Sequence, residues 1–408
     1  MTFNMTFVKK DTKNLAVKLN AKGEQFVVKG HPWVFSNSIV KINDDAKTGD
    51  LAIIFSKNKN KVVGFGLYDA NSPIRIKIIH NAETKVKIDA AFFQHKIELA
   101  FEKRLELLQT NTNSYRLLFG ENDGFPGLIA DVYDTVLVVK LYSEIWLPYL
   151  EPILKNLQQI SKAETVVMRL SRSLQNSTNH SLKDGEVIYG TLDNEVVEFV
   201  EHDVKFSANV IKGHKTGYFL DHRDNRRRVG EMSKGKSVLD VFSYAGGFSV
   251  HALAKGATEV TSLDISKQAL DMARENGKLN AYTGQHKTIS GDAFVEMKAL
   301  IQKGKTYDVV VIDPPSFAKQ QSEIDLAKKK YAQLAELGEK LTAKNGLLVL
   351  ASCSSRVLAQ AFFDLNSQVL NSKSRLFETE LKTKHDIDHP IAFPEGAYLK
   401  CGYYRFLE

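Results

Sequence analysis

The chain has 408 residues, enough for two or three domains, and its 43% hydrophobic content can bury a large core, which excludes a disordered protein. Two cysteines exclude a disulfide framework, and no apolar run reaches the roughly 18 residues of a membrane span, so we expect a cytoplasmic protein. The first 90 residues hold 15 Lys or Arg and 8 Asp or Glu, an excess equal to the whole net charge of +7, which indicates either a polyanion partner such as nucleic acid or a lysine-rich solvated surface.

Residues 14–80 alternate apolar and polar side chains between turns rich in Gly, Asp and Asn. We predict strands on both sides of the turn Gly30-His31-Pro32 in EQFVVKGHPWVF, a strand–turn–strand in GDLAIIFSKNKNKVVGFGLYD, and a strand in SPIRIKII. Several short strands in a small basic unit predict a compact β-barrel over residues 14–85.

The middle of the chain mixes helical and strand patterns. Residues 88–110 and roughly 145–160 have helical spacing, while YRLLFG, DTVLVVKLY and ETVVMRL resemble strands. We predict a central α+β domain over residues 88–195, whose chemistry the sequence does not indicate.

From about residue 200, apolar strand runs alternate with amphipathic helices. The predicted strands are KSVLDVF, EVTSLDI, HKTIS, YDVVVID and NGLLVLASC, and the last strand, YLKCGYYRFL, is predicted to be antiparallel. This alternation is typical of an α/β, doubly wound, Rossmann-like sheet, here over residues 200–408.

Ligands bind beyond the carboxyl ends of the strands in such sheets. Those ends carry Asp240, Asp264, Asp292, Asp313 and Cys353. One acid at a strand end is commonly a helix N-cap or a turn residue, whereas four acids and a cysteine at successive ends predict a site.

The first strand end, DVFSYAGGFS, has Gly246 and Gly247, which allow close backbone approach to a ligand. It matches neither G-x-G-x-x-G nor a phosphate-binding loop. A carboxylate at Asp264 can accept both ribose hydroxyls, and Asp292 can hold an adenine amino group. The set predicts S-adenosylmethionine (SAM), with a different nucleoside ligand as the alternative.

The stretch Asp313-Pro314-Pro315-Ser316-Phe317 predicts a rigid loop after a buried strand. Its carboxylate and the Pro314 carbonyl can bind the amino edge of a base, with Phe317 placed to stack. Such loops resemble those of methyltransferases that act on nucleobases or amides, although Ser316 departs from the N-P-P-Y form.

Cys353 has two interpretations. A free cysteine is often simply buried. Alternatively, a thiolate that adds to cytosine C6 makes C5 nucleophilic enough for methylation. We expect Cys353 where a strand ends and a helix begins, with Ser354 and Ser355 as caps, a position that favours thiolate. The adjacent Asp313 makes the nucleophile the preferred interpretation.

The stretch from Gly213, GHKTGYFLDHRDNRRRV, is dense in polar groups. It is interpreted either as a solvated helix start or as a functional segment, which would be a lid over the cofactor or a phosphate contact from Arg223 and Arg226. The histidines of HDIDHPIAFPEGAY lack zinc-ligand spacing, so no metal is predicted.

With these residues identified, the chain resembles the bacterial 23S rRNA cytosine-C5 methyltransferases over nearly its whole length. The similar pieces, in the family's order, are GHPWVFSNSI, ENDGFPGLIADVY, GHKTGYFLDHRDNR, DVFSYAGGFSVHAL, DPPSF, SCS and DHPIAFPEGAYLK. The resemblance implies an N-terminal PUA RNA-binding domain, a central α+β domain and a class I SAM-dependent methyltransferase domain.

By this resemblance Cys353 is the nucleophile and Asp313 its acidic partner. The expected cofactor-binding residues are Tyr218, Asp240, Phe242, Ser243, Gly246, Asp264, Ile265, Asp292, Ala293 and Asp313. The expected substrate-binding residues are Lys215, Arg223, Pro314, Pro315 and Phe317.

The expected partner is 23S rRNA or a precursor of the large ribosomal subunit, without a membrane or metal, and a homodimer is left open. Two alternatives remain: an rRNA methyltransferase acting on guanine or an exocyclic amine with a structural Cys353, and a non-catalytic RNA-binding protein.

Overall fold

The computed structural model describes residues 2–7, 11–58, 61–81 and 86–407. The chain forms two compact units. The first comprises Met1–Val200, Ser207–Leu220 and Ile387–Gly396, and the second comprises Glu201–Phe206, Asp221–Asp386 and Ala397–Glu408. The three predicted domain ranges remain a prediction.

The first unit begins with a six-stranded sheet in the order β2-β6-β5-β4-β1-β3. Its strands are β1 (Asn14–Leu19), β2 (Trp33–Phe35), β3 (Ile39–Lys41), β4 (Leu51–Phe55), β5 (Val62–Tyr68) and β6 (Ile74–His80). The strand predictions for GDLAIIF, KVVGFGLYD and SPIRIKII are confirmed, while part of the turn between β4 and β5 lies outside the described residues.

The prediction of a strand before Gly30 is wrong, because residues Ala21–Val28 form helix α1. The Asn20 side chain caps this helix by accepting the Gly23 N–H at 2.8 Å. A short apolar run such as FVV does not distinguish a strand from a helix by its spacing alone.

A second sheet of the first unit has the order β11-β10-β9-β8-β7. Its strands are β7 (Ser114–Phe119), β8 (Leu128–Tyr133), β9 (Val136–Leu141), β10 (Thr165–Leu170) and β11 (Glu186–Tyr189), with helices α2 (Ala90–Glu102), α3 (Leu105–Leu108), α4 (Leu150–Ser161) and α5 (Arg172–Gln175). The predicted helices and strands are present, whereas β8 and β11 were not predicted. Phe65 and Leu67 of β5 share one apolar core with Phe93 of α2 and with Trp146.

Two strands, β12 (Val196–Glu201) and β13 (Val204–Asn209), pair with each other. The second unit then alternates helices and strands: α6 (Arg223–Met232), β14 (Ser237–Val241), α7 (Gly247–Ala254), β15 (Glu259–Asp264), α8 (Lys267–Lys278), β16 (Gln285–Ser290), α9 (Ala293–Gln302), β17 (Tyr307–Ile312), α10 (Ile324–Leu341), β18 (Thr342–Ser352), α11 (Ala359–Asn371), β19 (Phe377–Thr383) and β20 (Lys400–Phe406).

These seven strands form one sheet in the order β16-β15-β14-β17-β18-β20-β19. The pairs from β16 to β18 are parallel, and β20 is antiparallel to both neighbours, as predicted for the last strand; β19 was not predicted. Neighbouring residues such as Val309 and Val310 belong to cores on opposite faces, which explains the continuous apolar runs. The sheet confirms the predicted fold class.

The order of the strands reverses between β14 and β17, the point at which doubly wound sheets bind ligands. Among the described residues, no helix is long and apolar enough to cross a membrane.

Candidate active site

The turn between β14 and α7 has an unusual backbone. Phe242, Tyr244 and Gly246 have φ values of 65°, 47° and 78°. A Cβ on Gly246 would lie 2.7 Å from the Ala273 Cβ of α8, so only glycine fits there. Asp264 at the end of β15 accepts the Tyr244 N–H at 2.9 Å and fixes the turn against the next strand. The turn is therefore shaped by Gly246 and by Asp264, an acid that lies 20 residues after Tyr244 in the chain.

Asp240 lies beneath the turn and is 1% exposed. Its Oδ2 accepts the Ser249 N–H at 3.0 Å and the Ser249 hydroxyl at 2.7 Å. The chain of polar side chains continues from Ser249 to Ser262 at 2.6 Å and on to His286 at 2.8 Å. Burial raises the pKa of the Asp240 carboxyl to about 7. The carboxyl is therefore oriented from one side and has one oxygen left for a ligand.

The residues at the turn fit SAM on two observations. Within the described part of the chain, Asp240 Oδ1 and Ser243 Oγ are buried polar atoms without a hydrogen-bond partner. Buried polar atoms are normally paired, so these two indicate a polar ligand. The hydroxyl and ammonium groups of SAM can donate hydrogen bonds to a carboxylate oxygen such as Asp240 Oδ1.

Two of the three other predicted acids, Asp264 and Asp292, accept hydrogen bonds from backbone N–H groups. Asp264 Oδ1 accepts the Ser266 N–H at 2.8 Å, and each of its oxygens keeps a free lone pair. Asp292 is exposed and is the N-cap of α9, accepting the Val295 N–H at 3.1 Å. The predicted residues that follow these acids are Ile265, which is 75% exposed, and the buried Ala293. Helix capping alone therefore explains an acid at position 292, and no ligand is needed to account for it.

The DPPSF loop lies against the loop that carries the cysteine, since β17 and β18 are parallel neighbours. Cys353 Sγ lies 3.8 Å from the Pro314 carbonyl oxygen. The Ser354 hydroxyl donates to the Ala318 carbonyl at 3.3 Å. Asp313 and Cys353 are both partly exposed, so the carboxylate and the thiol are accessible at adjacent strand ends.

The predicted helix start at Cys353 is wrong. Helix α11 begins at Ala359 with Leu358 as its N-cap, and its cap makes no side-chain hydrogen bond. Ser354 and Ser355 lie in the preceding loop and cap nothing there. The amides of α11 therefore do not explain a thiolate at Cys353, because a helix dipole acts within the first turn.

Phe317 and Pro315 form the outer part of the loop. Pro315 is exposed, and Phe317 is partly exposed with its ring 5.2 Å from the Tyr331 ring. Lys330 Nζ lies 5.0 Å from the Phe317 centroid, a cation–π distance. Packing against α10 thus fixes the orientation of the Phe317 ring.

His222 is a residue of this site to which the sequence analysis assigned no role. Its Nε2 lies 3.3 Å from Asp313 Oδ1, within ion-pair distance although not aligned as a hydrogen bond. Asn225 Oδ1 accepts the hydroxyls of Thr383 and Tyr403, so its amide nitrogen faces His222 Nδ1 at 3.1 Å. In the neutral ring Nδ1 is then the acceptor and Nε2 carries the hydrogen. Burial disfavours the charged ring, but Asp313 outweighs this effect and raises the pKa of His222. The only signal in the sequence was the polar stretch GHKTGYFLDHRDNR.

Three further predicted residues make contacts of their own. Arg223 is fully buried in a 2.9 Å ion pair with Asp386, a placement that disfavours its predicted phosphate contact. Lys215 and Tyr218 belong to the first unit, where Lys215 is exposed and Tyr218 packs on Phe199. Their binding roles remain predictions.

Within the described ranges, no group of three or more His, Cys, Asp or Glu side chains is arranged to hold a metal ion.

Comparisons with known proteins identify the family of this chain. A family model described as S-adenosylmethionine-dependent methyltransferase matches residues 115–389, and a PUA-like domain model matches residues 17–81. The chain is 39% identical to the ribosomal RNA large subunit methyltransferase of Deinococcus radiodurans, over 95% of this chain and 96% of that protein. It is 31% identical to ribosomal RNA large subunit methyltransferase I of Escherichia coli, over 93% and 96%.

Among solved structures, a candidate SAM-dependent methyltransferase from Streptococcus mutans has a TM-score of 0.79 and 20% identity, over 96% of this chain and 99% of that one. Another methyltransferase structure of the same TM-score and identity was solved with SAH bound. At this identity the likeness shows a shared fold.

Proposed function

Because this chain belongs to the S-adenosylmethionine-dependent methyltransferase family, among relatives named ribosomal RNA large subunit methyltransferases, we propose that it forms 5-methylcytidine in 23S rRNA. In this proposal Cys353 bonds covalently to C6 of the target cytosine.

The cofactor is SAM, which supplies an electrophilic methyl group on a sulfonium. Asp240, Ser243 and the turn at Gly246 would hold it from the β14 side, and Asp264 would hold it from β15. The unpartnered Asp240 Oδ1 and Ser243 Oγ support this assignment.

The observation that carries the proposal is the pairing of Cys353 with the DPPSF loop, where Sγ lies 3.8 Å from the Pro314 carbonyl oxygen. C5 of cytosine is a poor nucleophile, so its methylation needs a covalent activator. A guanine or an exocyclic amine has its own nucleophilic nitrogen and needs no thiol. An accessible cysteine beside a base-binding loop therefore favours cytosine C5.

The reaction follows in three steps. The Cys353 thiolate forms an Sγ–C6 bond, and the C5–C6 π electrons become available at C5, while Asp313 contacts the N3/N4 edge of the base. C5 then takes the methyl group, and the electron pair of the broken methyl–sulfur bond stays on the cofactor sulfur. Finally a base removes the C5 proton, the C5–C6 double bond re-forms, and the thiolate leaves. These steps require the cytosine to be extracted from its stack, since thiol and methyl donor approach opposite faces.

The PUA-like sheet would dock the RNA by contacts with its backbone. The basic excess of the first 90 residues supports this role, because phosphate contacts dominate the affinity of RNA-binding proteins.

Nucleoside analysis tests the proposal. Unmodified 23S rRNA is incubated with SAM and protein, digested, and analysed by mass spectrometry. Wild-type protein and Cys401→Ala should produce 5-methylcytidine, because Cys401 is buried in β20, whereas Cys353→Ala should produce none. Methylated guanosine, or methylation undiminished in Cys353→Ala, would overturn it.

A further inference from the structure

Lys400, the first residue of β20, is a lysine buried in the second unit to 2% exposure. In the antiparallel pairing of β18 and β20 it lies opposite Ser352, the residue before Cys353. Its ammonium group is thereby brought to the loop on which the thiol lies.

The ammonium group binds that loop through backbone carbonyls. Nζ donates to the carbonyls of Ser354, Val357 (2.6 Å) and Tyr398 (3.1 Å). Three acceptors use all three donors of an ammonium group. The first acceptor belongs to Ser354, the residue that directly follows Cys353, so Lys400 fixes the backbone next to the residue that carries the thiol.

A buried charge held only by neutral carbonyls is costly, because desolvation is not offset by an opposite charge. Burial lowers the pKa of Lys400 to about 8, and the negative charge of Cys353 acts in the opposite direction. The Lys400 ammonium group therefore lies where the negative charge of a Cys353 thiolate would offset the cost of burying it.

Groups on other elements also face Cys353. Tyr331 of α10 interacts with it, and burial raises the pKa of that phenol to about 12, so it stays neutral near pH 7. Asp313 precedes the Pro314 carbonyl that contacts Sγ, and its negative charge opposes a thiolate. Asp313 is itself within ion-pair distance of His222, at 3.3 Å, and α11 does not provide a helix terminus at Cys353.

We propose that Lys400 is a positioning residue that holds the loop after Cys353 and supplies the positive charge that stabilises the Cys353 thiolate. This inference rests on the proposed function for its catalytic meaning. The interaction itself can be measured without RNA.

The test is the pH dependence of iodoacetamide alkylation at Cys353, followed by peptide mass spectrometry on the full-length protein. Lys400→Gln keeps hydrogen-bond donors but loses the charge. In this variant the midpoint of the alkylation profile should rise by about one pH unit, and alkylation at pH 7 should slow about tenfold. Lys400→Arg should keep the wild-type midpoint. An unchanged midpoint in Lys400→Gln would reduce Lys400 to a structural role and overturn the proposal.

Lys96 provides a matched control. It is a partly buried lysine of the first unit whose pKa is also lowered by burial to about 8, and it donates to the Ile79 carbonyl at 2.7 Å. Lys96→Met should leave the Cys353 midpoint unchanged, which separates a specific charge effect from general destabilisation.

A reciprocal measurement covers the case in which Lys400→Gln does not fold. In protein with isotope-labelled lysines, NMR titration of Lys400 should show a lower pKa in Cys353→Ala than in the wild type, because coupling between two sites is mutual. An unchanged Lys400 pKa would overturn the proposal. If the coupling is found while Cys353→Ala still methylates RNA, the proposed function fails and the coupling stands.

Discussion

Single residues define the turn between β14 and α7. Phe242 and Tyr244 have positive φ values although they are not glycine, a strain that proteins retain mainly at functional sites. Asp240 is buried beneath them with one oxygen unpaired. The sequence revealed the glycines and the acid, whereas the strain at two aromatic residues depends on how β15 holds the turn.

Gly246→Ala should destabilise the protein by about 1–3 kcal/mol and weaken SAM binding, because its Cβ would clash with Ala273. Thermal unfolding and calorimetric titration with SAM measure both effects. Gly304→Ala is the matched control, since Gly304 has φ +64° but nothing within 4 Å of an added Cβ. Equal effects of the two substitutions would contradict a packing role for Gly246.

The stability of the apoprotein should decrease as pH rises from about 4 to 7 through Asp240. Its folded pKa of about 7 exceeds the unfolded value near 4, so the folded state binds the extra proton within this window. The contribution is on the order of a few kcal/mol at most. Denaturant unfolding at pH 5 and 8 should show a smaller decrease in Asp240→Asn than in the wild type. Parallel pH profiles for the two proteins would refute a raised Asp240 pKa.

At the scale of elements, periodicity predicted the second unit well because its central strands are buried on both faces and its helices are amphipathic. The six predicted strands of this sheet are present, and the Ser266 side chain caps α8 by accepting the Ala269 N–H. Two errors have different physical origins. FVV was interpreted as a strand although the local Asn20 cap starts helix α1. The serines after β18 were interpreted as helix caps, but a tertiary contact decides there, because Lys400 binds the loop after Cys353.

A substitution of Asp292 shows whether this acid at the start of α9 caps the helix, binds the cofactor, or does both. Asp292→Ser keeps an N-cap oxygen for the Val295 N–H, so stability should be retained. If the carboxylate also holds adenine, SAM affinity should fall about tenfold, the effect of losing one hydrogen bond to a charged group. Calorimetric titration measures this. Unchanged affinity in Asp292→Ser would assign the acid to capping alone.

At the scale of the whole molecule, composition predicted a basic N-terminal region and a large core. The sequence did not indicate that the first two sheets share a core, because such contacts join residues far apart in the chain, such as Phe65 and Trp146. It also missed His222, whose role depends on the Asn225 network that forms only in the folded second unit.

RNA binding should weaken with salt through the basic N-terminal region. Lys22 and Lys29 are exposed there, and replacing both with Gln should lower RNA affinity and make its dependence on salt less steep. Filter binding at several salt concentrations measures the slope. Lys278→Gln, at an exposed lysine paired with Glu275, should leave the slope unchanged. An equal loss in the control would refute a specific role for the N-terminal lysines.

Covalent trapping tests the central claim most directly. RNA carrying 5-fluorocytosine is incubated with SAM and protein, because the fluorine blocks the final proton removal and retains the Sγ–C6 bond. Wild type and Cys401→Ala should form an adduct that survives denaturing electrophoresis, with the RNA attached to the Cys353 peptide, and Cys353→Ala should form none. Absence of an adduct from a wild-type protein that methylates unmodified RNA would contradict covalent catalysis by Cys353.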